Sequence, residues 1–214
     1  MASKKNNQSL RIIKPFGPSV VKFNIPEETL KSLNKYVDDI IEDSDKIKKL
    51  DDGSDLAGNV NQEFFLETEF MKSIKWAEFL ASACKEWLKH EQNKQLQSFQ
   101  IIKSWIVRQF KHEYNPIHWH SGHISGVGYL KVPKNLGGSD ENKKINERGC
   151  LALIHGSVNL FSNATYIIKP KVGDFYMFPN YLMHAVYPFS ETNEERRSIS
   201  FNANIDNNVA SYTT

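Results

Sequence analysis

The sequence predicts a mainly β fold with supporting helices, and three observations carry that prediction. From residue 99 onward the chain breaks into short runs rich in β-branched and aromatic residues: FQIIKSWIVRQF, SGVGYLKVP, CLALIH, ATYIIKP, DFYMFP and SISFNANI. Turn chemistry separates them, at Asn115-Pro116, Gly137-Gly138, Lys171-Val172-Gly173 and Pro179-Asn180, and short strands at this spacing argue for a sandwich or barrel. Upstream, apolar residues recur at helical spacing, which supplies two helical stripes to pack on the β unit. We therefore expect residues 1–95 to form a helical support region with a short strand and 96–214 to form the β core, the two making one compact unit.

Each element has a local reason. Residues 1–9 are polar and expected to be disordered. SVVKFN, 19–24, reads as a short strand. Pro26-Glu27-Glu28 then opens a helix, with proline in the first turn and acids at the positive end of the dipole. Leu30, Leu33, Val37, Ile40 and Ile41 form its apolar face. Residues 43–62, rich in Asp, Gly, Ser and Asn, read as a loop. A second helix is expected over 67–90, with Ile74, Ala77, Leu80, Cys84, Trp87 and Leu88 on one face. The polar insert at 133–149 is long for a compact β domain, so it is a candidate lid or substrate-selecting segment.

Composition excludes several classes. Lys+Arg is 27 and Asp+Glu is 25 in 214 residues, a net charge of +2 that argues against a strongly basic nucleic-acid binder. No apolar run approaches the roughly 18 residues of a membrane span. The opening MASKKNNQSL lacks the apolar centre of a secretory signal, so a cytoplasmic location is expected. Cys84 and Cys150 lie far apart and form no Cys-x-x-Cys, which points to two reduced thiols rather than a zinc or redox dithiol site.

The histidines are more informative. In His118-Trp119-His120 the two imidazoles are two residues apart, so on an extended strand both face one side. His184 lies far downstream, just after DFYMFP. Two close ligands and a remote one suit a three-point metal site with open positions, the form taken by two histidines and a carboxylate on non-haem iron. The bland alternative makes His118 and His120 exposed strand or loop residues and His184 a satisfied core residue. His123 reads as a polar loop residue that could line a substrate mouth, and His155, before Gly156, as a turn residue. Trp119 should alternate away from the metal and pack.

YNPIHWHSGHISGVGYLKVP, KPKVGDFYMFPNYLMHAVYPF and ERRSISFN, in that order, resemble the iron(II)- and 2-oxoglutarate-dependent oxygenases. The likeness covers about residues 100–205 and is nearest to a branch with His-x-His, Ser-Gly-Val-x-Tyr-Leu, Phe-Pro-x-x-Leu-x-His and Ser-Phe-Asn signatures, found in bacteria and marine bacteriophages. It implies a double-stranded β-helix, a jelly roll, and a cytoplasmic protein (host cytoplasm if phage-encoded). It implies Fe(II), with 2-oxoglutarate and dioxygen as co-substrates, and hydroxylation of a small-molecule or peptidyl substrate. By the same resemblance His118, His120 and His184 are metal ligands and catalytic. Arg196 is the anchor for the far carboxylate of 2-oxoglutarate, with Ser198 on the same strand face and Tyr129 bonding the same carboxylate; Arg197 would point to the opposite face and to solvent. His120 stands where most of the superfamily has Asp or Glu. Three readings stay open here: a normal three-histidine set, a carboxylate from elsewhere such as Asp174, or a three-histidine dioxygenase independent of 2-oxoglutarate. A non-catalytic, cupin-like metal-binding jelly roll and an accessory phage protein with a vestigial site are the competing functions.

Overall fold

The computed structural model describes residues 11–13, 17–51, 58–60, 62–137, 145–160 and 162–210. The expectation of disorder at 1–9 and the central part of the proposed lid, 138–144, lie outside the described residues. The described elements are β1 (Arg11–Ile13), β2 (Val20–Asn24), α1 (Glu27–Ile41), α2 (Ser44–Leu50), β3 (Gln62–Phe65), α3 (Thr68–Ser73), α4 (Trp76–Gln92), β4 (Phe99–Gln109), β5 (Asn115–His118), β6 (Ile124–Lys131), β7 (Leu151–Ile154), β8 (Thr165–Ile168), β9 (Asp174–Pro179), β10 (Met183–Val186), β11 (Arg196–Ile205) and α5 (Asn207–Ala210).

The strands form two antiparallel sheets, ordered β1-β2-β9-β6-β11-β4-β3 and β5-β10-β7-β8. From β4 onward the chain passes repeatedly between them, so β9-β6-β11-β4 faces β5-β10-β7-β8 in a double-stranded β-helix. The N-terminal half does more than support this roll, because β1, β2 and β3 extend both edges of the large sheet.

Strand alternation decides what each face meets. On β9, Phe175 and Met177 join the cluster that includes Leu33, Val37, Trp76, Leu80 and Leu88 of the helices. Tyr176 and Phe178 point the other way, into a second cluster with Tyr129, Leu151 and Leu153 between the sheets. On β11, Ile199 and Phe201 go to the helical side, while Arg196, Ser198, Ser200 and Asn202 face the inside of the roll. The helices therefore cover the outer face of the large sheet and leave its inner face for the site.

Three local expectations are corrected. Residues 44–50 of the expected loop are helical: the Asp43 side chain accepts from the N–H groups of Asp45 and Lys46 and caps the turn. The single helix at 67–90 is two, broken where Lys75 takes a left-handed φ of 55°. The break lets Trp76 turn fully into the core, where its indole N–H donates to Ser104 Oγ at 3.0 Å and its ring meets Phe175 edge-on. Asn115-Pro116 is no turn but the start of β5, and β5 is an edge strand, where proline's missing N–H is tolerated.

Candidate active site

The site begins with the pairing of β5 and β10, which sets His118 directly opposite His184 across the small sheet. His120 follows just beyond β5, its N–H donating to the Asn180 carbonyl and its own carbonyl accepting from Asn180 Nδ2 at 2.9 Å. The potential ligand nitrogens of the three rings all lie within 4.8 Å of one another, and His120 Nε2 is 3.2 Å from His184 Nε2.

Backbone carbonyls orient two of the rings. His118 Nδ1 lies 2.7 Å from the Pro116 oxygen and His184 Nδ1 lies 2.9 Å from the Leu182 oxygen. Each Nδ1 must therefore carry the proton, which leaves the Nε2 lone pair to face the shared centre. Burial, then the charges of His184, His118 and Lys103, push His120 down to about 3. Burial, then His118, pushes His184 down to about 4, and burial also lowers His118. At neutral pH all three are neutral imidazoles, the form that binds metal.

Among the described residues, these three are the group of potential ligands that converges. Asp174 does not join them: its carboxylate pairs with Lys22 at 2.7 Å and accepts from Tyr176 Oη at 3.4 Å. His123 is elsewhere too, with Nδ1 3.1 Å from both the N–H and the carbonyl of Ile205. His155 sits at the end of β7, where its N–H donates to the Ala164 carbonyl ahead of Gly156.

The triad opens on a cavity of about 310 Å³ between the sheets. Its large-sheet wall is built of two registered rows, Lys103, Trp105, Val107 and Gln109 on β4 against Asn202, Ser200, Ser198 and Arg196 on β11. Arg196 is 2% exposed. Its Nη1 donates to Gln109 Oε1 at 2.5 Å, and its guanidinium lies 5.1 Å from the centre of the Tyr129 ring. The buried Nε and Nη2 of Arg196 and the buried Oη of Tyr129 have no hydrogen-bond partner among the described residues. Burial holds the Tyr129 hydroxyl above its ordinary range, against the opposing pull of Arg196, so it remains a donor. Two buried donors on one guanidinium edge and a phenol near them, without partners among the described residues, suit a carboxylate.

Arg197 corrects the expectation that it points to solvent. It is 1% exposed and faces the helices. It donates to Glu195, to the Asn34 carbonyl and side chain, and to Asp38 at 2.8 Å, tying β11 to α1. Glu195 also takes Arg108 Nε at 2.8 Å. Burial pushes the Glu195 carboxyl up, but the hydrogen bonds and charges of Arg197 and Arg108 outweigh it and hold the group below its ordinary 4.5. The unfolded chain then binds a proton more readily than the folded one, so the contribution of Glu195 is full above about pH 4.5 and is lost as pH falls through its folded value. Melting temperature followed on acidification should drop across that window, and Glu195→Gln should flatten the drop while lowering stability at neutral pH.

Trp119 is a second correction: it is 67% exposed and stands at the cavity rim rather than packing. Trp105, Lys103, Glu63 and Gln109 line the cavity and were not foreseen as site residues. Trp105 meets the His120 ring edge-on at 5.5 Å. Lys103 pairs with the 1%-exposed Glu63 at 3.4 Å. The alternation of β4 carries the signal for three of them, but which face points inward is settled only by pairing with β11.

A jelly roll holding a convergent cluster of neutral histidines has the form of a metal-binding class of protein, and known proteins of similar sequence and fold narrow that class. Residues 103–202 match the family model described as "Putative 2OG-Fe(II) oxygenase". Over those residues, a little under half of the chain, the sequence is similar to the 2OG-Fe(II) oxygenases, a family named for Fe(II) and 2-oxoglutarate. No curated protein matches the sequence. Among solved structures, the chain is similar to a prolyl-4-hydroxylase of Pseudomonas putida, at 13% identity and a TM-score of 0.56 over 86% of this chain and 91% of that one. It is similar to the viral collagen prolyl hydroxylase of Paramecium bursaria Chlorella virus-1, solved with 2-oxoglutarate, at 16% identity and 0.51 over 86% and 94%. It is also similar to the non-haem α-ketoglutarate-dependent epimerase SnoN of nogalamycin biosynthesis, at 14% identity and 0.58 over 87% and 76%. At these identities the likeness is one of fold.

Proposed function

We propose that the protein is an Fe(II)- and 2-oxoglutarate-dependent dioxygenase, a hydroxylase of a peptidyl, amino-acid or other small substrate. The observation that carries the reading is the unpartnered Nε/Nη2 edge of Arg196, a residue that lines the cavity the three histidines share and whose guanidinium lies 5.1 Å from the centre of the Tyr129 ring. A metal-binding jelly roll without a co-substrate has no use for a buried cation with an unsatisfied edge, which is costly to keep. The residues fit both groups: His118, His120 and His184 would hold Fe(II), and Arg196 and Tyr129, with Ser198 in the same row, would hold the far carboxylate of 2-oxoglutarate. When bound, the metal with 2-oxoglutarate and dioxygen supplies the oxidising power to break an unactivated C–H bond. The chain's own part is to keep the three imidazoles neutral and aimed, to fix the co-substrate's orientation, and to limit water at the reacting centre.

Two of the fold neighbours are named as prolyl hydroxylases, which favours a hydroxylated peptide or amino acid; the third is named as an epimerase. The modest net charge of +2 weighs against a nucleic acid. No helix among the described residues is long and apolar enough to cross a membrane. We assign residues 1–95 the role of extending and covering the large sheet of a 96–214 core, and place the protein in the cytoplasm. The test is an anaerobic Fe(II) titration with and without 2-oxoglutarate. One iron per chain and a weak visible charge-transfer band on adding 2-oxoglutarate are expected. Iron binding with no response to 2-oxoglutarate would leave the cupin-like module or the 2-oxoglutarate-independent dioxygenase.

A further inference from the structure

Gln109 is 1% exposed, lines the cavity, and pairs with Arg196 in the β4–β11 register. Its amide has a single workable orientation. Nε2 faces two backbone carbonyls, Glu113 at 2.5 Å and Tyr187 at 3.3 Å. A carbonyl only accepts, so the NH₂ must lie on that side and Oε1 must lie on the other, where it accepts from Arg196 Nη1 at 2.5 Å. A flipped amide would set oxygen against two oxygens and nitrogen against a cation.

The guanidinium is a rigid planar fork, so fixing Nη1 fixes the rest. The edge left over is Nε with Nη2, the two buried donors that lack a partner among the described residues. We propose that Gln109 is a positioning residue: by occupying Nη1 it dictates that the Nε/Nη2 edge of Arg196 receives the distal carboxylate, and so it sets the preference for a five-carbon 2-oxo diacid over shorter 2-oxo acids. The inference rests on the proposed 2-oxoglutarate reading and adds a residue and a selectivity to it. The carbonyls that hold Gln109 belong to the segment after β4 and the segment after β10. Selectivity is thereby built on backbone atoms of two connecting segments rather than on a further side chain.

The experiment compares 2-oxoglutarate with pyruvate, which shares the metal-facing 2-oxo acid head but lacks the distal carboxylate. Dissociation constants are measured anaerobically on the full Fe(II)-loaded chain, for the wild type, Gln109→Met and Gln109→Glu. In Gln109→Met the affinity for 2-oxoglutarate should fall about 10-fold through loss of a charge-assisted hydrogen bond, while pyruvate binding stays put. Gln109→Glu should fall further, because its carboxylate faces two carbonyls and neutralises Arg196. A merely structural role would weaken both acids together, leave their ratio unchanged, and overturn the inference. A wild type that ignores 2-oxoglutarate would instead sink the functional reading beneath it.

A second measurement needs no variant. With zinc as a diamagnetic metal, adding 2-oxoglutarate to the wild type should shift the Arg196 Nε–H signal and leave the Gln109 side-chain amide signals in place. Movement of the Gln109 amide with a silent Arg196 Nε–H would show that the other edge is used, and the proposal would fall.

Discussion

His184→Ala leaves a protein that folds but does not retain Fe(II), with iron-dependent turnover reduced beyond the roughly 10–100-fold that even outer-shell partners of a metal command. Its ring is 4% exposed, aimed by the Leu182 carbonyl and set against both other imidazoles, and no other potential ligand among the described residues joins this group. His120 allows a graded version. His120→Ala should hold iron weakly, with added imidazole restoring part of it. His120→Asp should do better, because it recreates the two-histidine, one-carboxylate set and adds a negative charge next to the cation, although the shorter side chain reaches less far. Iron per chain, measured anaerobically for these variants and for Asp174→Ala, decides the ligand set. Iron kept by His120→Ala but lost by Asp174→Ala would overturn the three-histidine assignment. The Lys22 ion pair of Asp174 argues for the opposite result.

Arg196→Ala separates the metal from the co-substrate. Iron stoichiometry should stay at the wild-type level while 2-oxoglutarate affinity falls by about 100-fold or more, since a carboxylate buried without its cation forfeits on the order of 3 kcal/mol. The thermal stability of the Fe(II) form without 2-oxoglutarate should change little, because the lost side chain takes an unsatisfied buried charge with it. Arg197→Ala should do the reverse, lowering the melting temperature by loosening α1 from β11 while 2-oxoglutarate still binds. Loss of co-substrate binding in Arg197→Ala with normal binding in Arg196→Ala would move the anchor by one residue.

Much of this was legible because strands alternate. The runs SISFNANI and DFYMFP announce two faces, and Arg196-x-Ser198 falls on one face whatever the rest of the fold does. The destination of Arg197 was not legible: its partners Asn34 and Asp38 sit on α1, more than 150 residues earlier, and no local pattern encodes that meeting. The helix break before Trp76 was hidden for a related reason. The apolar stripe runs on through it, and only the seat offered by Ser104 and Phe175 makes a break worthwhile. Asn115-Pro116 misled because the same dipeptide serves a turn or an edge strand, and edge status is a property of the sheet. Asp43 is a cap that signals the helix at 44–50, but the Asp, Gly, Ser and Asn around it are equally the composition of a loop.

The division of the site between the two sheets has a thermodynamic consequence. His118 and His184 belong to β5 and β10 of the small sheet, whereas Arg196 belongs to β11 of the large one. A chelate of metal and co-substrate engaging both would act as a reversible cross-link spanning the roll, and its binding free energy would be added to that of folding. At concentrations near 100 times the dissociation constant such linkage is worth about 2.7 kcal/mol. The unliganded roll is then the more easily opened species, with the small sheet free to breathe against the large one, and the loaded form the one that unfolds as a single cooperative block.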